Sequence, residues 1–443
     1  MKKYLFGIFL ILFATVNLLA NDEKVFPYKY ISEKLDNNLK IILIPMDSPG
    51  LVAYYSVVRT GSRDEWEPGK SGFAHFFEHM MFRGTERFPG SVYDKLVTSI
   101  GADANAYTSN DLTVYHLNFA SEDLETVMDI ESDRFRNLAY DEREFQTESG
   151  AVYGEYRKGR TSPFSVAIEK MQDMAFDVHT YKHTTIGFET DIKNMPNQFE
   201  YSKSFYQRYY RPENVVLLIV GDIDADKTMD MAAKYYSEWK PGYTSPKIEQ
   251  EPPQKEARSA EVTYEGRTLP LLLQAYKNDA FDAGNKNYLA SMFLADLAFG
   301  ETSELYQKLF LTEQKVQMLA ANPGMSRDAG LFYIYSMVKN PDDIDYVRQE
   351  IQKTLEHFKQ NRVDDKKLSD LKSNMKYSFL MNLDTPDDVA GGLARFIALT
   401  GDINIVDTFY NNLMEITPED VMKAAQLYFE ENRRNEVILK GGK

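Results

Sequence analysis

Two histidines and a glutamate occupy one window of five residues, HFFEH over 75–79. At about 100° per residue an α-helix brings His75, Glu78 and His79 within an arc of about 100° on one face. Two imidazoles one turn apart reach a single tetrahedral metal, and a carboxylate between them lies beside that metal without binding it. This HxxEH spacing is the inverted zinc motif. At this composition it arises by chance only about 0.01 times per chain, so the pattern is specific. It commits this segment to a helix and predicts a metal site. The chain has no cysteine, which excludes disulfides, thiolate zinc sites, iron–sulfur ligation and a cysteine nucleophile.

A hydrolytic zinc needs a third protein ligand and one open position. The candidate segment is TESGAVYGEYR over 147–157. Glu148 and Glu155 are seven residues apart and share a helix face. One can bind metal while the other supports a ligand from behind. Gly150 and Gly154 weaken the helix, each by about 1 kcal/mol against alanine.

The 443 residues suggest two or three domains. A formal net charge of −16 argues against a nucleic-acid partner. Lys2 and Lys3 precede an apolar run over 4–20 that gives way to polar NDEK. Residues 1–20 therefore read as a signal peptide cleaved near Ala20, with an uncleaved anchor as the alternative. No later stretch is long and apolar enough to span a bilayer, so no membrane insertion is expected after cleavage. An exported protein without cysteine is compatible with a bacterial periplasm.

Residues 39–44, 51–58, 107–119, 215–220, 270–275 and 330–338 read as strands, and 71–81, 93–100, 122–138, 142–156, 288–299, 344–360 and 366–380 as helices. The polar, proline-bearing segment around 246–258 reads as a solvated linker between domains 21–245 and 259–443. An echo supports duplication: YRPEN (210–214) leads into VVLLIVG, and YFEEN (428–432) leads into EVILKG. His116, His179, His183 and His357 are scattered and read as packing or surface residues.

Taken together, GSRDE (61–65), GFAHFFEHMMFRGT (72–85), GADANAYT (101–108), TVY (113–115) and YRPEN (210–214) resemble the pitrilysin/insulinase family of zinc metallopeptidases. The similarity is to its short-chain branch, that of mitochondrial processing peptidase. Glu155 lies 76 residues after His79, as that family's pattern asks. The resemblance implies one Zn²⁺ per chain bound by His75, His79 and Glu155, with Glu78 as general base and Glu148 orienting the site. It implies a substrate-pairing edge strand at Ala104, Asn105 and Ala106, and peptide or unfolded protein as substrate. The implied fold is α+β: two related domains, each a mostly antiparallel sheet backed by helices, together half of a clamshell chamber.

The chain departs from the family in its second half. Active members carry an arginine and a tyrosine seven apart that contact substrate; here Phe310 and Gln317 stand at those positions. The expectation is therefore an exported zinc endopeptidase subunit that pairs as a heterodimer with a related chain supplying the Arg/Tyr pair. The alternatives are a non-catalytic scaffold or assembly subunit, and a peptide-binding protein of the same fold.

Overall fold

Strands 40–45, 51–58 and 215–221 are unbroken apolar runs, and the reason is that both of their faces are buried. The computed structural model describes residues 24–442; the signal-peptide reading of 1–20 lies outside them. Eleven strands form two sheets. The first holds β1 (Ile31–Lys34), β2 (Lys40–Pro45), β3 (Leu51–Val58), β4 (Asp103–Thr108), β5 (Thr113–Ala120) and β6 (Val215–Gly221). The second holds β7 (Arg258–Tyr264), β8 (Leu271–Lys277), β9 (Val316–Asn322), β10 (Leu331–Val338) and β11 (Arg434–Gly441).

The first sheet is ordered β1-β2-β6-β3-β5-β4 and the second β7-β11-β8-β10-β9. In each, the last strand in sequence pairs parallel with the first, β2 with β6 and β7 with β11, apart from the added edge strand β1. The remaining ladders are antiparallel. The sheets therefore repeat one topology, and the echoed segments are the equivalent strands β6 and β11. Among the described residues no single helix is long and apolar enough to cross a membrane.

Residues 107–119, read as one strand, are in fact the ends of two. Ser109, Asn110 and Asp111 turn the chain, closed by Ser109 N donating to Leu112 O at 2.8 Å. These residue types favour turns because their side chains satisfy nearby backbone. The turn makes β4 the edge of its sheet, paired with β5 alone.

Alternate residues of the central strands face different layers. In the first sheet, Ile41, Leu43, Tyr54, Leu217 and Ile219 pack on helices of the first half. Ile42, Tyr55, Val57, Val216 and Leu218 face the other way. That second face is covered by the helix Pro386–Thr400 from the second half, through Val389, Ala390, Leu393 and Ile397. The second sheet mirrors this. Its Leu271, Leu273, Ala275, Val437 and Leu439 pack on Val166, Ala167, Met171 and Ala175 of the helix Pro163–Ala175, which belongs to the first half. Each half thus lends one helix to the other's sheet.

Residues 240–257 form no helix or strand. They are less solvated than their composition suggests, because the Glu251 carboxylate accepts from the backbone N–H groups of Asp177, Val178 and His179 at 2.8–3.1 Å. Three oriented amides in one place are an anion site, and the acidic side chain fills it. A second latch sits on the loop between β9 and β10. Asp328 accepts from Arg63 Nε at 2.5 Å and His179 Nε2 at 3.0 Å. Burial raises the Asp328 pKa, but hydrogen bonds from His179 and Arg63 outweigh it and hold the carboxyl well below its usual range.

Exchange of helices predicts cooperativity between the halves. A fragment of residues 24–245 made alone lacks the covering helix and exposes Tyr55, Val57, Val216 and Leu218. It is expected to bind a hydrophobic dye and to lose a sharp melting transition. The intact chain is expected to melt in one transition; two well-separated calorimetric peaks would overturn the interlocked core.

Candidate metal centre

The helix Phe73–Met80 buries Phe73, Ala74, Phe76, Phe77 and Met80 and leaves His75, Glu78 and His79 along its opposite edge. Its start is set by a side chain from the preceding loop. Glu65 accepts from Gly72 N at 2.7 Å and Ala74 N at 2.6 Å. A carboxylate there satisfies amides that have no partner within the helix and complements its dipole. Gly72 is left-handed (φ 94°), and a Cβ on it would meet Ile186 O at 2.7 Å, so the entry requires glycine.

The second contributing helix, Glu142–Gly159, opens on a reciprocal cap. Glu144 N donates to Asp141 Oδ1 at 2.8 Å and Asp141 N to Glu144 Oε2 at 2.9 Å. It runs unbroken through Gly150 and Gly154, because Phe145, Ser149, Val152 and Tyr156 are buried against the first half. Tertiary packing here outweighs the weak helix propensity of two glycines.

The two helices bring three predicted ligands together. Glu155 Oε2 lies 3.6 Å from His75 Nε2 and 3.4 Å from His79 Nε2, and all three donor atoms lie within 4.8 Å of one another. Bonds of about 2.0–2.1 Å to a tetrahedral ion place ligand atoms about 3.3–3.4 Å apart. The cluster therefore fits zinc, and among the described residues it is the only group of histidine and carboxylate side chains so placed. Three such ligands would leave the fourth position of a tetrahedral ion to water or substrate.

Glu148 lies behind His79. Its Oε1 is 2.9 Å from His79 Nδ1, leaving Nε2 of that ring toward Glu155. Its other oxygen accepts from Arg83 Nε at 2.9 Å and from Arg83 Nη2. The hydrogen bond to Glu148 raises the pKa of His79, and the same bond lowers that of Glu148. Burial holds the His75 imidazole below its ordinary range, in the neutral form a metal requires.

Glu78 stands apart from the ligand cluster. Its Oε2 accepts from Thr108 Oγ1 at 2.6 Å. Thr108 ends β4, the open edge strand that holds Ala104, Asn105 and Ala106. Ala104 and Ala106 lean on the core that carries the metal helix, while Asn105 is exposed and its Oδ1 accepts from Ala106 N at 2.8 Å. Beyond Thr108 the strand end opens into a cleft of about 510 Å³ between the halves.

The second half offers no comparable chemistry at the two departing positions. Phe310 stacks on Tyr306 with ring centroids 4.7 Å apart. Gln317 is exposed on β9, the edge strand equivalent to β4. His179 and His183 are buried in packing, and His116 stacks on Tyr55. Reading the sequence missed Thr108, Arg83 and Glu65 as parts of this site. All three stand inside the quoted motifs, but periodicity could not reveal contacts 30, 65 and 7–9 residues away.

Comparison with known proteins identifies the family. Residues 49–188, which hold His75, Glu78, His79 and Glu155, match the insulinase (peptidase family M16) domain, and residues 198–375 match the peptidase M16 inactive domain. The zinc protease PqqE of Helicobacter pylori is 28% identical over 99% of this chain and 98% of its own. The mitochondrial-processing peptidase subunit beta of Saccharomyces cerevisiae is 24% identical over 88% of this chain and 87% of its own. The crystal structure of a protease from Helicobacter pylori superposes with a TM-score of 0.87 at 28% identity, covering 93% of this chain and 99% of that one. The two matched domains, the paired sheets and the relatives' full-length coverage together place this chain in peptidase family M16.

Proposed function

We propose that this chain is the zinc-bearing catalytic subunit of an endopeptidase that cleaves extended or unfolded peptides outside the cytoplasm. One observation carries the reading. Three ligand atoms lie within 4.8 Å of one another, and Glu78, on the same helix as two of them, takes no part in the cluster. Zinc held by His75, His79 and Glu155 would lower the pKa of a bound water toward 7 and polarise the scissile carbonyl. The remaining work falls to side chains. Glu78 accepts the proton of the attacking water and delivers it to the leaving amine. Glu148, braced by Arg83, fixes the tautomer and direction of His79. Pairing of a substrate strand on the free edge of β4, at Ala104, Asn105 and Ala106, reads backbone and so accepts many sequences. The exported location follows from the charged and apolar segments that precede residue 21.

The absence of the Arg/Tyr pair supports a second chain. Phenylalanine at 310 has neither the charge nor the N–H donors of the arginine it replaces, and Gln317 lacks the phenol hydroxyl of the tyrosine. A related subunit carrying both residues would supply the missing donors across a shared chamber. The same two positions favour a scaffold role should no such partner exist.

Four outcomes test the reading. His75→Ala or His79→Ala is expected to take zinc from one per chain to near zero by elemental analysis. Glu78→Gln is expected to keep its zinc and lose peptide hydrolysis by about 10²-fold or more; native turnover by Glu78→Gln would refute the mechanism.

Glu148→Gln is expected to weaken zinc affinity or turnover by about 10–100-fold, as a partner of a metal ligand does. A variant equal to the native chain in both would reduce Glu148 to packing.

The mature chain alone, loaded with zinc, is expected to turn over unfolded peptides about 10²–10³-fold more slowly than when mixed with the Arg/Tyr-bearing relative, the loss expected for a missing donor to the developing oxyanion. Full activity of the lone chain, unchanged by the relative, would rule out the heterodimer. Inactivity of the mixture would favour the scaffold.

A further inference from the structure

We propose that Thr108 is the positioning residue of the general base, and that the second half of the chain holds it in place through Arg327. The proposal rests on the reading of Glu78 as the base. It assigns to the second half a contribution within its own chain that does not depend on the missing Arg/Tyr pair.

The first observation is the direction of one proton. A threonine hydroxyl has a single hydrogen to donate. Thr108 Oγ1 lies 2.6 Å from Glu78 Oε2 and 3.5 Å from Thr113 Oγ1, its partner across the β4–β5 ladder. Thr113 donates its own hydrogen to the Thr60 carbonyl at 3.0 Å, so it can only accept from Thr108. The carboxylate is the nearer and stronger acceptor, and the proton goes to Glu78. A β-branched side chain on a strand has few rotamers, so the donor direction is set by the backbone of β4. That same backbone is the proposed substrate edge.

The second observation is what fixes the end of β4. The turn after Thr108 is gripped from two sides. On one side Arg63 N donates to Asn110 O at 2.8 Å and Ser62 N to Ser109 O at 3.3 Å. The approach is close enough that a Cβ on Gly61 would meet Ser109 O at 2.2 Å. On the other side Asp111 Oδ1 accepts from Tyr181 OH at 2.7 Å. Asp111 Oδ2 accepts from Arg327 N, and Asp111 O from Arg327 Nη2, both at 3.2 Å. Arg327 Nη2 also reaches Arg59 O at 3.2 Å and Ala398 O at 3.0 Å. One guanidinium thus ties the turn to the residue that follows β3 and to the helix lent by the second half. Docking of substrate on β4 and placement of the base are referred to one frame.

The test uses the zinc-loaded full chain in its active assembly. Thr108→Val keeps the shape and removes the donor; Thr108→Ser keeps the donor. Thr108→Val is expected to lower kcat by about tenfold or more, the size of a hydrogen bond to a charged group. KM should stay within about twofold and zinc stoichiometry should not change. Thr108→Ser should recover most of kcat. Arg327→Met should lower kcat in the same direction, and combining it with Thr108→Val should add little, since both act through one contact. Crystal structures of the zinc-loaded variants give a readout independent of turnover: the Glu78 carboxylate should leave its position in Thr108→Val and keep it in Thr108→Ser. Native kcat in Thr108→Val, equal losses in the Val and Ser variants, or an unmoved Glu78 carboxylate would overturn the proposal. A native chain that cleaves no peptide would defeat the peptidase reading instead, and the crystallographic comparison would still decide the role of Thr108.

Discussion

Both sheets of this protein bury two faces, and each depends on a helix from the opposite half for the second. Apolar area removed from water stabilises at roughly 25 cal/mol per Å², so an uncovered face bearing Tyr55, Val57, Val216 and Leu218 would be a large deficit. The exchange of the helices Pro163–Ala175 and Pro386–Thr400 removes it on both sides. It also fixes how the halves sit. The loop bearing Arg327 and Asp328 is brought against the turn that ends β4, and the Glu251 carboxylate seals the connecting segment onto residues 177–179. The interlock thus reaches the end of β4, the strand whose Thr108 donates to Glu78.

Within that frame the site holds three carboxylates in three environments. Glu148 is buried and neutralised by Arg83, and its remaining oxygen directs His79. Glu155 is half-exposed and presents one oxygen to both imidazoles. Glu78 is held by a neutral hydroxyl, which orients it without supplying a counter-charge.

The halves share one topology and differ in chemistry. Edge strand β4 ends on Thr108, bonded to Glu78; its equivalent β9 carries Gln317. The two family domains matched by the chain, one of them the inactive domain, express the same asymmetry. A duplicated framework keeps its sheet because the buried pattern is unforgiving, whereas the rim residues that contact ligands are free to diverge.

The sequence by itself determined the metal helix, since only 3.6-residue spacing lets His75, Glu78 and His79 share a face. It also determined the unbroken apolar strands, and through the seven-residue interval the shared face of Glu148 and Glu155. The motifs pointed to the two histidines and the glutamate that the fold brings together, and YRPEN with its echo pointed to the repeated strands. Tertiary structure alone decided that 107–119 folds back as a hairpin, which creates the open edge. It alone decided that helices cross between halves, because their apolar stripes show that each is buried but not against which sheet. The roles of Thr108, Arg83, Glu65 and Arg327 are of the same kind. Each is a contact between residues distant along the chain or on different elements, and a hydrogen bond of 2.6 Å is set by packing that no local pattern encodes.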